Sequence, residues 1–373
     1  MTKPVSAAAN KPYVHYAWAM SYYSGKTRAY LRYKGIPHIE KTVRLWHMAT
    51  IQKKVGAQVM PVVVTPEGQW MQDTSTIIDL LEQRFPDAPV VPATPKQKLS
   101  AYLFEIWGDE FWVASAMHYR WNFEENYRTQ FRREGGDNLM PFAPRFLKNR
   151  VVDRVAVMLR GFCKGLGVVP AQLPAIERWT HTHLDALNAH FAQHDYLFGS
   201  KPSLGDFGLI GPLFAHLGRD PVPARELVAP RKHLAAWVAR MQNPPSPQGG
   251  CFLPNDEVPE TLHTALRSVF GEFWPQLVAT LAECRKALPT IQPGRGFARS
   301  LGKITIPFAG EPYVLGARPY PLWMAQRLLD VYRAFTPAEL AAVQPWLASL
   351  GGDAAMQLDI PRLKRLALHV APA

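Results

Sequence analysis

The stretch that decides the fold is QVMPVVVTPEGQWMQDTSTIIDLLEQRF, residues 58 to 85. Its first half, VMPVVV (59–64), has the apolar, β-branched composition of a buried strand, yet it contains Pro61, which has no N–H to donate to a sheet. The turn signal PEG (66–68) leads into a second short strand, QWMQ (69–72), and a turn this short joins antiparallel strands. Residues 75–85 then have helical periodicity. The stretch predicts β-β-α, with a proline at the start of its first strand.

The residues before this stretch alternate between strand-like and helix-like patterns. YVHYAW (13–18) and PHIEKTVRL (37–45) favour strands, whereas SGKTRAYLRYKG (24–35) favours a helix that ends at Gly35. MATIQKKVGAQ (48–58) favours a polar helix. Residues 13–86 therefore predict one α/β domain with the order β-α-β-α-β-β-α, and residues 1–12 predict a flexible tail.

The residues after this domain change character twice. PDAPVVPATPKQ is rich in proline, so we expect residues 87–97 to be a linker. Apolar residues then recur at steps of three and four, which predicts an all-α domain over 98–245. NPPSPQGG (243–250) marks a further boundary, and 246–373 predict a C-terminal extension of unknown role. Within it we expect helices near 260–288, 321–335 and 337–350, and a β-hairpin at 303–317.

Composition limits the class of protein. The chain has 373 residues, of which 47% are hydrophobic and 19% charged, as in soluble globular proteins. Its three cysteines lie far apart, which argues against disulfides and metal binding and favours a reducing, cytoplasmic location. No run of 18 apolar residues predicts a membrane span. The net charge of +12 comes from basic residues scattered among acidic ones, so we expect no nucleic-acid partner.

Pro61 suggests a binding site. If the Met60–Pro61 peptide bond is cis, the N–H and C=O of Met60 face outward and can pair with an extended peptide-like ligand. The alternative is an ordinary trans proline at the start of a strand. Downstream, Asp73 precedes Thr74, which we expect to cap the next helix. The free N–H groups of that helix could bind a carboxylate while Asp73 pairs with an ammonium group, and an α-amino acid carries both.

With these residues in place, the chain resembles the glutathione transferase family. The resemblance implies a thioredoxin-like N-terminal domain with cis-Pro61, packed on a helical C-terminal domain. It implies that Met60 pairs with the cysteinyl backbone of glutathione and that Asp73 and Thr74 hold the γ-glutamyl end, with Ser75 as a substitute one residue on. Lys54 lies near where the family binds the glycyl carboxylate.

A second part of the resemblance is SYYSGKTRAYLRYKGIP (21–37), which matches the family's first helix and the turn after it. It places Ser21 where other members contact the sulfur of glutathione, and a hydroxyl donor at a helix N-terminus stabilises a thiolate. Tyr22, Tyr23 and Ser24 are alternates, although we expect Ser24 to cap the helix.

A third part lies in the helical domain. Ser203 and Asp206 match the family's helix capping box, which serves folding. The aromatic row of the first helix of this domain predicts core packing, but the family uses this helix for the pocket of the electrophilic substrate. The residues that the resemblance places in this pocket are Trp107, Phe111, Trp112, Ser115 and Tyr119.

The resemblance covers about residues 13–245 and implies an enzyme. We expect a cytoplasmic homodimer, with no metal, that binds glutathione as co-substrate and activates its thiolate for attack on a small electrophile. One alternative is a non-catalytic glutathione- or peptide-binding module of the same fold. Another is a glutathione-dependent peroxidase, reductase or lyase.

Overall fold

The computed structural model describes residues 11–244, 249–292 and 294–373. Residues 1–10 of the predicted tail lie outside this range, as does the predicted boundary between residues 245 and 246. The described chain has a mixed sheet near its N-terminus, a large helical region, and a C-terminal region with two hairpins. No helix in these ranges is both long enough and apolar enough to span a bilayer.

The N-terminal domain is built on a four-stranded sheet with the strand order β2-β1-β3-β4. β1 pairs in parallel with β2 and antiparallel with β3, which in turn pairs antiparallel with β4. The thioredoxin-like order β-α-β-α-β-β-α predicted from the sequence is confirmed. The elements are β1 (Tyr13–Ala17), α1 (Tyr22–Tyr33), β2 (His38–Thr42), α2 (Leu45–Val55), β3 (Val62–Val64), β4 (Trp70–Gln72) and α3 (Thr74–Arg84).

The predicted bounds of two elements need correction. α2 starts three residues before the predicted 48–58 and ends at Val55, because Gly56 adopts a left-handed conformation with a φ of +81° and terminates the helix. The next helix starts at Pro95, inside the predicted linker, since proline is well suited to the first position of a helix.

The helical region packs against α1 and the sheet. A π-helical segment, Trp107–Phe111, separates α4 (Pro95–Ile106) from α5 (Val113–Trp121). The helices are α4 (Pro95–Ile106), α5 (Val113–Trp121), α6 (Arg132–Leu139), α7 (Arg145–Gly165), α8 (Leu173–Phe191), α9 (Leu204–Ala215), the single turn α10 (Pro221–Pro223) and α11 (Lys232–Gln242).

The C-terminal region contains the predicted hairpin and one that the sequence did not predict. β5 and β6 pair antiparallel across a turn at Ala309 and Gly310, both of which have positive φ. β7 and β8 form the second, unpredicted hairpin. The elements are α12 (His263–Ser268), α13 (Trp274–Ala287), β5 (Lys303–Phe308), β6 (Glu311–Gly316), α14 (Tyr320–Arg333), α15 (Pro337–Ser349), β7 (Leu363–Leu366) and β8 (His369–Pro372).

One continuous apolar core joins all three parts of the chain. It contains Tyr30 from α1, Trp107 and Trp237 from the helical region, and Phe273 and Leu329 from the C-terminal region, each fully buried. A side chain of this size contributes about 1.5–3 kcal/mol when it is removed from water. The C-terminal region is therefore integrated into the fold and helps to form the walls of the site described next.

Candidate functional site

A cavity of about 570 Å³ lies between the N-terminal domain, the helical region and the C-terminal region. This volume is within the range of small-molecule sites, about 300–1,000 Å³. The N-terminal domain contributes Tyr23, Gln58, Val59, Met60, Pro61, Gln72, Asp73 and Thr74. The helical region contributes Asp109, Glu110, Met158, Leu159 and Phe162. The C-terminal region contributes Phe297, Ala298, Arg299, Arg318, Pro319, Tyr320, Met324, Leu368, His369 and Val370.

Met60 and Pro61 lie at one wall of this cavity. The Met60–Pro61 peptide bond is cis, as the family resemblance implied. β3 starts only at Val62, so Met60 is outside the ladder. Within the described ranges, neither the N–H nor the C=O of Met60 makes a hydrogen bond to the protein. Both main-chain groups are therefore available to a ligand.

Asp73 also lines the cavity, and the prediction that Thr74 caps the next helix is wrong. Asp73, not Thr74, is the N-cap of α3: its Oδ1 accepts the Thr76 N–H at 2.8 Å and the Thr76 hydroxyl at 3.0 Å. Thr74 is the first helical residue. Asp73 has a φ of +78°, which is rare for a residue with a side chain. Its second oxygen, Oδ2, accepts a hydrogen bond from the Tyr320 hydroxyl of the C-terminal region.

The start of α1 also differs from the prediction. Ser21, not Ser24, is the N-cap: the Ser21 hydroxyl oxygen accepts the Ser24 N–H at 3.4 Å, and Ser24 is buried in the first turn. Tyr22 donates to the Gly108 carbonyl and Tyr23 donates to the Asp109 carbonyl at 3.1 Å. Burial raises the pKa of both phenols well above the usual value. Of these four residues only Tyr23 lines the cavity.

Two further predicted ligand residues lie away from the cavity. The Ser75 hydroxyl is buried, where it donates to Glu105 at 2.7 Å and accepts from Lys26 at 3.0 Å. Lys54 is exposed on α2 and is not part of the cavity wall. Neither residue is placed to contact a ligand in this cavity.

The predicted electrophile pocket is buried in the core instead. All five of its residues are at most 5% exposed, and none lines the 570 Å³ cavity. Phe111 packs on Trp179, Phe273 and Phe308, and Ser115 accepts a hydrogen bond from Thr180. Core packing, the simpler interpretation, therefore describes all five residues: Trp107, Phe111, Trp112, Ser115 and Tyr119.

Sequence reasoning missed two buried acids of the π-helical segment, Asp109 and Glu110. Both line the cavity although they are at most 5% exposed. Burial raises the pKa of each to about 7, and this effect outweighs the attraction of Lys26 for Asp109 and of Arg318 for Glu110. Two adjacent acids in a largely apolar helical run were the available signal, because such residues are rarely buried without a reason.

The residues that the C-terminal region supplies were missed as well. Tyr320 bonds to Asp73, and Arg365 donates to the Gln72 carbonyl at 3.0 Å. Arg318 donates to the Glu110 carbonyl at 2.9 Å. No local pattern predicts these contacts, since the partners are more than 200 positions apart. Within the part of the chain described, no group of three His, Cys, Asp or Glu is arranged to hold a metal ion.

Two family models match the chain, and both describe one family. "Glutathione S-transferase, N-terminal domain" matches residues 16–89, and "Glutathione S-transferase, C-terminal domain" matches residues 168–240. The first match covers most of the mixed sheet with α1 to α3, and the second covers α8 to α10 and most of α11. No protein with a curated function matches the chain.

Similar solved structures include three bacterial proteins. A glutathione S-transferase from Methylobacterium radiotolerans, in complex with glutathione sulfonate, is 20% identical, with 63% of this chain and 92% of that chain covered and a TM-score of 0.40. A glutathione S-transferase from Rhodospirillum rubrum is 14% identical, with coverages of 66% and 96% and a TM-score of 0.41. A β-etherase from a Sphingobium species is 18% identical, with coverages of 63% and 96% and a TM-score of 0.41.

Proposed function

The chain belongs to the glutathione S-transferase family, and from that premise we propose that it binds glutathione in the 570 Å³ cavity and transfers the thiol to an electrophile. One observation carries the proposal: Met60, with unpaired main-chain groups, and Asp73, with a carboxylate, face the same cavity. The cysteinyl backbone of glutathione pairs with Met60, and its γ-glutamyl ammonium binds Asp73.

The hydrogen bonds of Asp73 are compatible with this role. A carboxylate offers about four acceptor sites, and three are used, by the Thr76 N–H, the Thr76 hydroxyl and the Tyr320 hydroxyl. One acceptor site on Oδ2 is left for an ammonium group. The positive φ of Asp73 also supports a ligand role, because residues held in such conformations concentrate at ligand-binding sites.

The thiol of glutathione needs a donor that stabilises its anion. A free thiol has a pKa of about 8.5, so little thiolate exists at pH 7 without assistance. Ser21 is half-buried at the N-terminus of α1, and its hydroxyl hydrogen is not used in any hydrogen bond within the described ranges. Ser21 does not itself line the cavity but lies two residues before Tyr23, which does. We assign Ser21 the role of donating this hydrogen to the sulfur, assisted by the positive end of α1.

The test of binding is thermal unfolding of the full chain with and without reduced glutathione. A ligand that binds only the folded state stabilises it by about 2.7 kcal/mol at one hundred times its dissociation constant, so the melting temperature should rise. Asp73→Asn should reduce the rise, because it removes the negative charge but keeps an N-cap side chain. A glutathione analogue that lacks the amino group should bind the wild type and Asp73→Asn equally.

The matched control is Asp330→Asn, which removes a carboxylate that pairs with Arg362 on the exposed side of α14. This control should keep the full rise in melting temperature. No rise for the wild type in millimolar glutathione would remove the proposal. An equal rise for the wild type and Asp73→Asn would remove the assignment of Asp73.

A further inference from the structure

Three acidic residues of α4 and the π-helical segment, Glu105, Asp109 and Glu110, differ in the hydrogen bonds that their carboxylates accept. Glu105 is fully engaged: one oxygen accepts from Lys26 and Ser75, and the other accepts from Arg327. Asp109 accepts from Lys26 at 2.5 Å through Oδ2, and its Oδ1 is buried without a hydrogen-bond partner among the described residues. Lys26 holds both carboxylates, and neither has a free oxygen that is open to solvent.

Glu110 is the exception. Its carboxylate accepts no hydrogen bond from any residue in the described part of the chain, and its nearest cation is Arg318, with Nη1 3.5 Å from Oε2. The residue is only 5% exposed, yet neither carboxylate oxygen is sealed from solvent. Glu110 lines the 570 Å³ cavity and also a smaller neighbouring one, so its carboxylate lies at the edge of the space in which glutathione would bind.

The backbone holds this carboxylate in place. Trp107–Phe111 is π-helical, and such segments within α-helices are frequent at functional sites. Gly108 fixes the segment against α9, because a side chain there would come within 2.6 Å of the Gly208 main chain. Tyr23, two residues after Ser21, donates to the Asp109 carbonyl and so links the start of α1 to the residue before Glu110.

Charged groups on several neighbouring elements change the pKa of Glu110. Burial raises its pKa to about 7, Arg318 before α14 lowers it, Asp109 and Asp73 raise it, and Lys26 of α1 lowers it. A carboxyl group that changes charge near neutral pH is suited to accept and return a proton.

We propose that Glu110 is the general base and general acid of the thiol transfer, which rests on the function proposed above. The Glu110 carboxylate accepts the proton of the glutathione thiol, and the S–H electron pair stays on the sulfur. The sulfur forms a bond to the electrophilic carbon as the bond from that carbon to its leaving group breaks. The leaving group departs with that electron pair and takes the proton back from the Glu110 carboxyl group.

The test uses the full chain and glutathione alone, at pH 7.5. Thiolate formed on binding is measured by ultraviolet absorbance, and protons released are measured by calorimetry in two buffers of different ionisation enthalpy. In the wild type we expect more thiolates than released protons, because Glu110 retains the proton. In Glu110→Gln, an isosteric change, we expect less thiolate and one released proton for each thiolate formed. Glu110→Asp keeps a carboxylate and should keep part of the excess.

A second variant changes the pH at which thiolates exceed released protons. Arg318→Met removes the cation that lowers the pKa of Glu110, so the pH at which the excess of thiolates over protons appears should rise. Asp330→Asn, far from the cavity, should leave the ratio unchanged. Equal ratios of one in the wild type and Glu110→Gln would overturn the role of Glu110. No glutathione binding by the wild type would instead overturn the proposed function itself.

Discussion

At the scale of single residues, the sequence pointed to segments that line the cavity but assigned the helix caps to the wrong residues. Asp, Ser and Thr are all good N-cap residues, so QDTST gives no reason to prefer Asp73 over Thr74. The structure resolves the choice because the Asp73 carboxylate reaches the Thr76 N–H. Likewise Ser21 and Ser24 are both plausible caps of α1, and only the backbone geometry distinguishes them. The cis bond at Pro61 followed from the family resemblance and not from the proline alone, since most bonds to proline are trans.

Ser21→Ala is a test of the sulfur contact. The bound thiol should lose a hydrogen-bond donor, so its pKa should rise by roughly one unit, which corresponds to about 1.4 kcal/mol. An ultraviolet pH titration of thiolate in the complex measures this pKa. Ser21→Thr keeps both the cap and the hydroxyl and is the control. An unchanged thiol pKa in Ser21→Ala would show that Ser21 is only a helix cap.

Glu110 predicts a pH dependence of stability. Its pKa is about 7 in the fold, above the ordinary 4.5, so between these values the folded state binds more protons than the unfolded state. The stability that Glu110 contributes is full below pH 4.5 and is lost as the pH rises through 7. In urea unfolding, Glu110→Gln should therefore gain on the order of 3 kcal/mol relative to the wild type between pH 4.5 and pH 8. A constant difference between the two proteins would contradict the raised pKa.

At the scale of elements, local patterns predicted most of the fold. The capping box of α9 is present as expected, with Asp206 accepting from the N–H and hydroxyl of Ser203 at 2.8 and 2.7 Å. Two features had no readable signal. Helical periodicity cannot reveal the π-helical turn at Trp107–Phe111, and β7 and β8 have only four residues each. Both features border the cavity, so the sequence predicted the fold more completely than it predicted the residues that line the cavity.

Two capping boxes allow a matched comparison. In α9, the Asp206 carboxylate is fully buried and also accepts from Leu197 and Trp237. In α15, Thr336 and Glu339 make the same motif at the surface. Asp206→Ala should cost at least about 2 kcal/mol of unfolding free energy, because it leaves several buried donors without an acceptor. Glu339→Ala should cost less than about 1 kcal/mol. Urea denaturation measures both, and equal costs would contradict this account of α9.

At the scale of the whole molecule, the C-terminal region is tied to the N-terminal domain by charge. Arg327 of α14 donates to Glu105 at 2.8 Å and to both oxygens of Asp79 at 2.7 and 2.8 Å. Although burial alone would raise it, the pKa of Glu105 is held at about 2 by Arg327 and Lys26. The sequence could not predict these pairs, because their partners lie 222 to 248 positions apart and 246–373 had no expected role.

Arg327→Met measures the strength of this connection. Removing one partner of a buried ion pair leaves an uncompensated charge and typically costs 3–5 kcal/mol. Arg362→Met removes an arginine from an exposed pair with Asp330 and should cost about 0–1 kcal/mol. Equal loss of unfolding free energy in the two variants would show that the C-terminal region is not held by Arg327.

The most direct test of the central claim is a crystal structure of the full chain with reduced glutathione. We expect the cysteinyl N–H and C=O of the ligand to pair with the C=O and N–H of Met60. We expect its γ-glutamyl ammonium to lie within hydrogen-bond distance of Asp73 Oδ2. Glutathione bound elsewhere, or a saturated crystal in which Met60 and Asp73 make no contact with it, would contradict the account.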